Sequence, residues 1–251
     1  MREKLTVIVP TYNEEKNIEA CLKSLTFADE IIVVDSFSTD KTKDIALKFT
    51  DNFIEHEYVY STKQKNWIIP KAKYKWILLV DADERVDEKL KNEILSVLEN
   101  APTFDAYWIR RRNFISGREI KHGAWGRDKV IRLFKRDRCR YEDKEVHGEI
   151  IVDGKTGKLK NKLIHYTYNN VDEYISKLIR YSVWGANQRY KEGWKGSLIN
   201  VIFQPPFIFF KNYILYLGFL DGIDGFIVEI LNSYYVLLKY IRLWEKTSKL
   251  K

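Results

Sequence analysis

Cysteine is scarce in this 251-residue chain: Cys21 and Cys139 lie in unrelated contexts, with no CxxC and no Cys/His ligand spacing. That excludes a disulfide framework and a structural zinc site, and it fits a reducing compartment. The apolar stretch from Leu5 to Pro10 is too short for the core of a secretory signal and enters a polar turn with no small-residue cleavage site. A cytoplasmic location is therefore expected. No internal repeat or low-complexity linker interrupts the chain. Acid is the minority charge, 35 Asp and Glu against 43 Lys and Arg, so the net charge of +8 points toward anionic partners: phosphates, nucleic acid or acidic lipid headgroups.

What the chain does contain is a rhythm. LTVIVP, EIIVVD and KWILLVD read as strands and DNFIEH as a short one. Between them EKNIEACLKSL, TDKTKDIALKF, STKQKNWIIPKA and VDEKLKNEILSVLEN read as helices. Unbroken apolar strands alternating with helices predict an α/β fold whose mostly parallel sheet is covered on both faces. Ligands of such sheets bind beyond the carboxyl ends of the strands. The polar clusters TYNEE, DSFSTD and DADE sit at those ends.

From about 101 to 165 the helical rhythm gives way to strand-like AYWIRRRNFI, KVIRLFKR and EIIVDGKTGKLKNKLIHY. Twelve Lys or Arg against three acids fall between Arg110 and Arg140. That excess could neutralise a diphosphate, bind a phosphorylated acceptor or face anionic lipid. Beyond Tyr166 the chain turns to aromatic-rich helices. A spanning helix needs roughly 20 largely apolar residues. The nearest candidate, Ser197 to Leu220, is interrupted by Pro205-Pro206 and Lys211. Two readings follow: helices lying in a membrane interface rather than crossing it, or a helical subdomain packed on the sheet.

The carboxylates carry the chemistry. In an extended chain Asp81 and Asp83 face the same side, and two like charges held so close call for a cation. Hard oxygen donors suit Mg²⁺ or Mn²⁺, which complete their shell with water and substrate phosphates. Asp87 and Glu88 are better placed to cap the following helix. Asp35, ending EIIVVD, can accept a hydrogen bond from a base imide or a ribose hydroxyl, while Ser36, Ser38 and Thr39 turn the chain.

The series VIVPTYNEE, VVDSFSTD, QKN and LLVDADE resembles the GT-A fold glycosyltransferases of family 2, which use nucleotide-diphosphate sugars and usually invert the anomeric centre. The later GxWxRDKVIRLFKR, VHG, LIHY and YILYLGFLDGIDGF resemble the branch containing lipopolysaccharide core β-1,4-glucosyltransferases. The resemblance implies a GT-A catalytic domain over 1–168, a mixed and mainly parallel sheet, and a helical, membrane-interfacial region over 169–251. It implies that Pro10, Thr11, Tyr12, Asn13 and Glu14 border base and ribose, that Asp35 holds the base, and that Lys65 and Asn66 lie near ribose or diphosphate. Asp83 would bind the Mg²⁺ or Mn²⁺ directly, and Asp81 would lean toward ribose or a metal-bound water. The implied partners are a UDP-sugar donor, UDP-glucose first, a lipid-linked saccharide acceptor and an anionic membrane surface at the inner face of the cytoplasmic membrane.

Inverting transfer also needs a base for the acceptor hydroxyl. The branch carries a V-H-E triplet, whereas here Gly148 separates His147 from Glu149, which leaves Glu149, Glu145 and Asp143 as candidates in that order. His147 is either a third metal or diphosphate ligand or an ordinary strand histidine. His165 reads as structural. Other readings remain: another nucleotide sugar serving capsule or glycolipid synthesis, a nucleotidyltransferase, or a basic nucleic-acid-binding protein. The nucleotidyltransferase lacks its Gly-rich basic first loop in TYNEE. Nucleic-acid binding lacks any recognition motif and leaves DADE without a purpose.

Overall fold

The computed structural model describes residues 2–100, 102–144 and 148–248, so Glu145 and His147 lie outside the described residues. Its strands are β1 (Leu5–Thr11), β2 (Glu30–Asp35), β3 (Phe53–Glu55), β4 (Trp76–Leu79), β5 (Glu84–Arg85), β6 (Ala106–Ile115), β7 (Arg118–Ile120), β8 (Lys129–Lys135), β9 (Cys139–Tyr141), β10 (Ile150–Val152) and β11 (Thr156–Tyr168). The helices are α1 (Ile18–Lys23), α2 (Thr42–Ala46), α3 (Ser61–Ile68), α4 (Glu88–Glu99), α5 (Val171–Lys191), α6 (Leu198–Phe210) and α7 (Gly222–Ser248). By contact, the chain divides into two compact units, one of residues 2–111, 129–143 and 148–165 and one drawing on 112–128 and 166–248.

The first unit holds the mixed sheet, in the order β3-β2-β1-β4-β8-β6-β11-β5. β3, β2, β1 and β4 run parallel, and β8 then pairs antiparallel with both β4 and β6. Alternation along β1 explains why its strand reads as unbroken apolar sequence. Leu5, Val7 and Val9 enter one core with Ile18 and Leu22 of α1 and Leu90, Ile94 and Leu98 of α4. Ile8 enters a second core with Ile68, Ile69 and Phe134. Both faces are covered, so the strand is apolar on both, apart from Thr6, whose hydroxyl donates to Glu30. Asp87 caps α4 as its sequence predicts, its Oδ1 accepting from Leu90 N at 2.9 Å. The DGKTG turn does not close a hairpin between its flanking strands: β10 pairs with β9 in a separate two-stranded sheet, while β11 joins the large one.

The second unit is organised around α7. Its Glu229, almost wholly buried, accepts from Ala124 N at 2.9 Å and from the side-chain amides of Asn212 (2.9 Å) and Asn232 (3.0 Å). Gly123 (φ +65°) is required beside it, because a Cβ there would stand 2.2 Å from Glu229 Oε1. Asp221 likewise accepts from Lys121 N, His122 N and His122 Nδ1 at 2.7–3.0 Å. Pro205 and Pro206 do not break the helix as the sequence predicts: α6 runs through both and continues as a π-helical turn over Lys211–Leu215. Pro205 is buried, and its carbonyl accepts from Ser233 Oγ of α7 at 2.8 Å, so tertiary packing holds the helix where its own hydrogen bonds are lost. Leu198–Leu215 is thereby long and apolar enough, by length and composition, to cross a membrane.

Candidate active site

β1, β2 and β4 deliver their polar tips to one end of the sheet. At the β1 tip Pro10 is half-buried, Thr11 buried, and Tyr12 and Asn13 exposed. Asn13 adopts φ +51° and laces this loop to the next: its N–H donates to Ser38 Oγ (2.8 Å) and its Oδ1 accepts from Thr39 N (2.8 Å). Glu14 accepts from Asn17 Nδ2 at 2.8 Å, and its N–H donates to Thr42 Oγ1 at 2.8 Å. Asp35 does not present an open carboxylate. It is buried, and its two oxygens accept from Ser38 N (2.7 Å) and Ser38 Oγ (2.5 Å), which fixes the loop. Between the pinned serines Phe37 stands 57% exposed with φ +60°. Such a backbone costs a non-glycine residue about 1–2 kcal/mol.

Helix α3 is a lock. Successive residues on a helix point about 100° apart, and three consecutive side chains here reach three neighbours. Gln64 donates to Ser36 Oγ (2.8 Å), and Lys65 Nζ lies 3.1 Å from Asp81 Oδ1. Asn66, expected near ribose or diphosphate, instead spends its amide on the backbone of Tyr141, donating to the carbonyl (2.9 Å) and accepting from the N–H (2.8 Å).

The chain is not extended across Asp81 and Asp83, as the alternation argument requires. Glu84 N donates to Asp81 O (2.8 Å) and Asp81 N to Glu84 Oε2 (2.9 Å), closing a turn that gives the two aspartates different surroundings. Arg85 braces it, donating to Ala82 O (2.7 Å) and to Asn17 O of the segment leading into α1 (2.9 Å). Asp81 sits between Lys65 and Arg132, one cation on each oxygen. Arg132 also contacts the fully buried Glu84 at 2.8 Å, and Arg111 approaches Glu84 at 3.4 Å. Burial alone would raise the Asp81 pKa, but Arg132 and then Lys65 outweigh it and hold the carboxyl well below the usual carboxylate range. Burial likewise opposes the charge on Lys65, and Asp81 reverses this, so the ammonium is held above its ordinary value.

Asp83 faces elsewhere. His165 Nε2 lies 3.5 Å from Asp83 Oδ2, placed there because β11 pairs antiparallel with β5, setting His165 opposite Glu84. His165 therefore joins the site rather than serving only as the structural link its sequence context implies. A carboxylate beside an imidazole is a donor set that suits a divalent cation. Asp81 is not such a donor while Lys65 and Arg132 occupy its oxygens. Among the described residues no group of three His, Cys, Asp or Glu gathers to hold a metal unaided. Asp83 and His165 could therefore contribute to holding such an ion only together with ligands from outside the protein, such as substrate and water.

Of the base candidates, Asp143 is exposed and accepts a short hydrogen bond from Tyr60 Oη. Glu149 is exposed at the start of β10, its backbone exchanging bonds with Glu142. Glu145 and His147 fall outside the described residues. Glu84 was visible in the DADE cluster, but Arg132 and His165 were signalled only by an arginine within an apolar run and by HY at the end of a predicted strand.

The model of the family described as glycosyl transferase family 2 matches residues 6–153. The lipopolysaccharide core biosynthesis glycosyltransferase LpsC of Rhizobium meliloti is 26% identical over 96% of this chain and 92% of its own length. SunS of Bacillus subtilis, from prophage SPbeta, is 38% identical, over only 37% of this chain and 23% of its own. Among solved structures, the mannosyltransferase PcManGT of Pyrobaculum calidifontis, in complex with GDP-Man and Mn²⁺, superposes with a TM-score of 0.58 at 16% identity, covering 98% of this chain and 88% of that one. S. aureus TarS 1-349 with UDP-GlcNAc gives 0.51 at 17%, covering 95% and 92%. These likenesses establish a GT-A-like fold.

Because the folded-state pKa of Asp81 is depressed, its ion pairs contribute stability above the unfolded carboxyl's pKa, and that contribution fades as pH falls through the folded value. Asp81→Asn is expected to lower the urea-unfolding free energy by about 2 kcal/mol, less than a fully buried pair because the side chain is 32% exposed. The gap from wild type should stay level between pH 5 and 9 and shrink below about pH 4; a gap unchanged at acid pH would refute the assignment.

Proposed function

This chain belongs to glycosyl transferase family 2, and on that premise we propose that it moves a hexose, glucose from UDP-glucose, onto a lipid-linked or lipopolysaccharide-core saccharide with inversion. The observation that carries the reading is Asp81 held between Lys65 and Arg132 at the tip of β4, with Asp83 and His165 beside it. The full-length likeness to LpsC supports the acceptor class.

In the donor-free protein Asp81 compensates both cations. An arriving diphosphate gives Lys65 and Arg132 a second anionic partner. A divalent cation held by Asp83 and His165 would, when bound, stabilise the leaving diphosphate. The loop of Pro10, Thr11, Tyr12, Asn13 and Glu14, tied to the Asp35–Ser38 turn, borders base and ribose. Glu149 accepts the proton as the acceptor oxygen bonds to the anomeric carbon and the bond to UDP breaks.

Membrane contact at the cytoplasmic face is the other part of the proposal. α6 presents Ile199, Ile202, Phe203, Phe207 and Phe210 outward, each more than half exposed, and carries no charged residue. Its opposite side packs on α7, which carries Glu229, Lys239, Arg242 and Glu245 and cannot share a bilayer core. α6 therefore lies in the interface plane rather than crossing.

In a thermal-shift panel, UDP and UDP-glucose with Mn²⁺ should raise the wild-type Tm, and Asp83→Ala or His165→Ala should remove the metal-dependent part of that rise. A larger rise with UDP-GlcNAc or GDP-mannose would replace the donor, and none with any nucleotide sugar would remove the reading. Glu149→Gln should lower kcat by about a hundredfold or more with UDP affinity unchanged; unaltered kcat would return the role to Asp143 or Glu145. Phe203→Ser with Phe207→Ser should cut partition into phosphatidylglycerol vesicles at least tenfold without altering UDP binding. Equal partition would remove the anchor.

A further inference from the structure

Resting on the donor reading above, we propose that Phe37 is a stacking platform for the nucleobase of the donor. Its neighbours are fixed from both sides. Ser36 donates from its N–H to Thr11 O (3.0 Å) and accepts from Gln64 (2.8 Å), while Ser38 is held by Asp35 and by Asn13 N (2.8 Å). This double pinning forces the residue between them to φ +60°, a conformation glycine or asparagine adopts readily and phenylalanine does not.

The ring gains nothing from the fold in return. It is 57% exposed and makes no aromatic or cation–ring contact with any described residue. A strained backbone acts against the folded state, and a side chain left 57% exposed recovers little of that cost, so local stability does not explain the residue. Strain of this kind gathers where a ligand is received.

The position identifies that ligand. Phe37 stands on the loop after β2, hydrogen-bonded to the loop after β1 that carries Tyr12, itself 58% exposed. Two exposed aromatic side chains on loops laced together at adjacent strand tips match a flat heterocycle rather than a phosphate or a sugar. The pinned backbone also carries the ring to a ligand without first losing main-chain freedom.

The test is calorimetric titration of the intact protein with UDP and, separately, inorganic pyrophosphate, each with Mn²⁺. Phe37→Leu, which keeps bulk but not the ring, should weaken UDP about tenfold and leave pyrophosphate unchanged; Phe37→Trp should bind UDP like wild type. Phe37→Gly should weaken UDP while melting at the same or a higher temperature, since glycine relieves the backbone. Three results would overturn the proposal: Phe37→Leu binding UDP normally, losing UDP and pyrophosphate alike, or losing vesicle partition with UDP affinity intact, which would mark a lipid contact. Wild type that takes up no UDP would instead sink the donor reading, and Phe37 with it.

Discussion

Two cations share one carboxylate at the tip of β4, and that sharing joins three distant parts of the chain. Lys65 comes from α3, Asp81 from the tip of β4 and Arg132 from β8, the strand antiparallel to β4. Both cations are nearly buried, and a buried cation without a counterion costs several kcal/mol. Asp81 therefore fixes where α3 sits against the sheet. α3 in turn carries the contacts to Ser36 and to Tyr141, so the loop after β2 and the end of β9 follow from the same constraint. Glu84 extends it by accepting a second bond from Arg132, so the guanidinium bridges two carboxylates of the same turn. A site built this way is rigid before any ligand arrives.

Much of the sheet was legible because its signals are local. Apolar runs bounded by polar tips mark β1, β2 and β4, and the i, i+4 spacing of Leu90, Ile94 and Leu98 marks α4. The carboxylate cluster at the DADE tip was legible for the same reason. Its inner arrangement was not, since whether Asp81 and Asp83 share a direction depends on a turn closed by Glu84, and sequence spacing cannot tell a turn from two more extended residues. Asp35 and Asn66 illustrate a second limit: spacing does not reveal that each holds the chain locally, Asp35 at Ser38 and Asn66 at the Tyr141 backbone. His165 and Arg132 are long-range members: their positions are set by the pairings of β11 with β5 and of β8 with β4, which no local pattern encodes.

The middle and C-terminal motifs behave differently again. GxWxR and the Gly-rich LDGIDG stretch carried the family likeness in the sequence, and in the second unit they meet through backbone-to-carboxylate bonds at Glu229 and Asp221. Gly123 is needed because Glu229 occupies the space a side chain would fill. Here a recognisable motif records a close backbone-to-carboxylate fit. The prolines of α6 show the reverse error, a strong local breaker overruled by a neighbour, with Ser233 and α7 supplying what the helix loses.

Charge gives the sharpest contrast between composition and structure. The segment from Arg110 to Arg140 reads as a basic handle for an anionic surface, yet at least seven of its twelve cations have carboxylate partners: Arg111, Arg112, Arg118, Arg132, Lys135, Arg136 and Arg138. Several of those partners, such as Glu84, Asp105, Asp153 and Asp224, lie outside the segment, which is why counting acids within it exaggerates the excess. Exposed pairs of this kind are worth little individually, but a cation already neutralised does not draw a membrane as a bare one does. Any membrane contact of this chain must then rest chiefly on apolar area. The uncharged outward face of α6 supplies that area, and contact made through it should depend on salt far less than the net charge of +8 alone would imply.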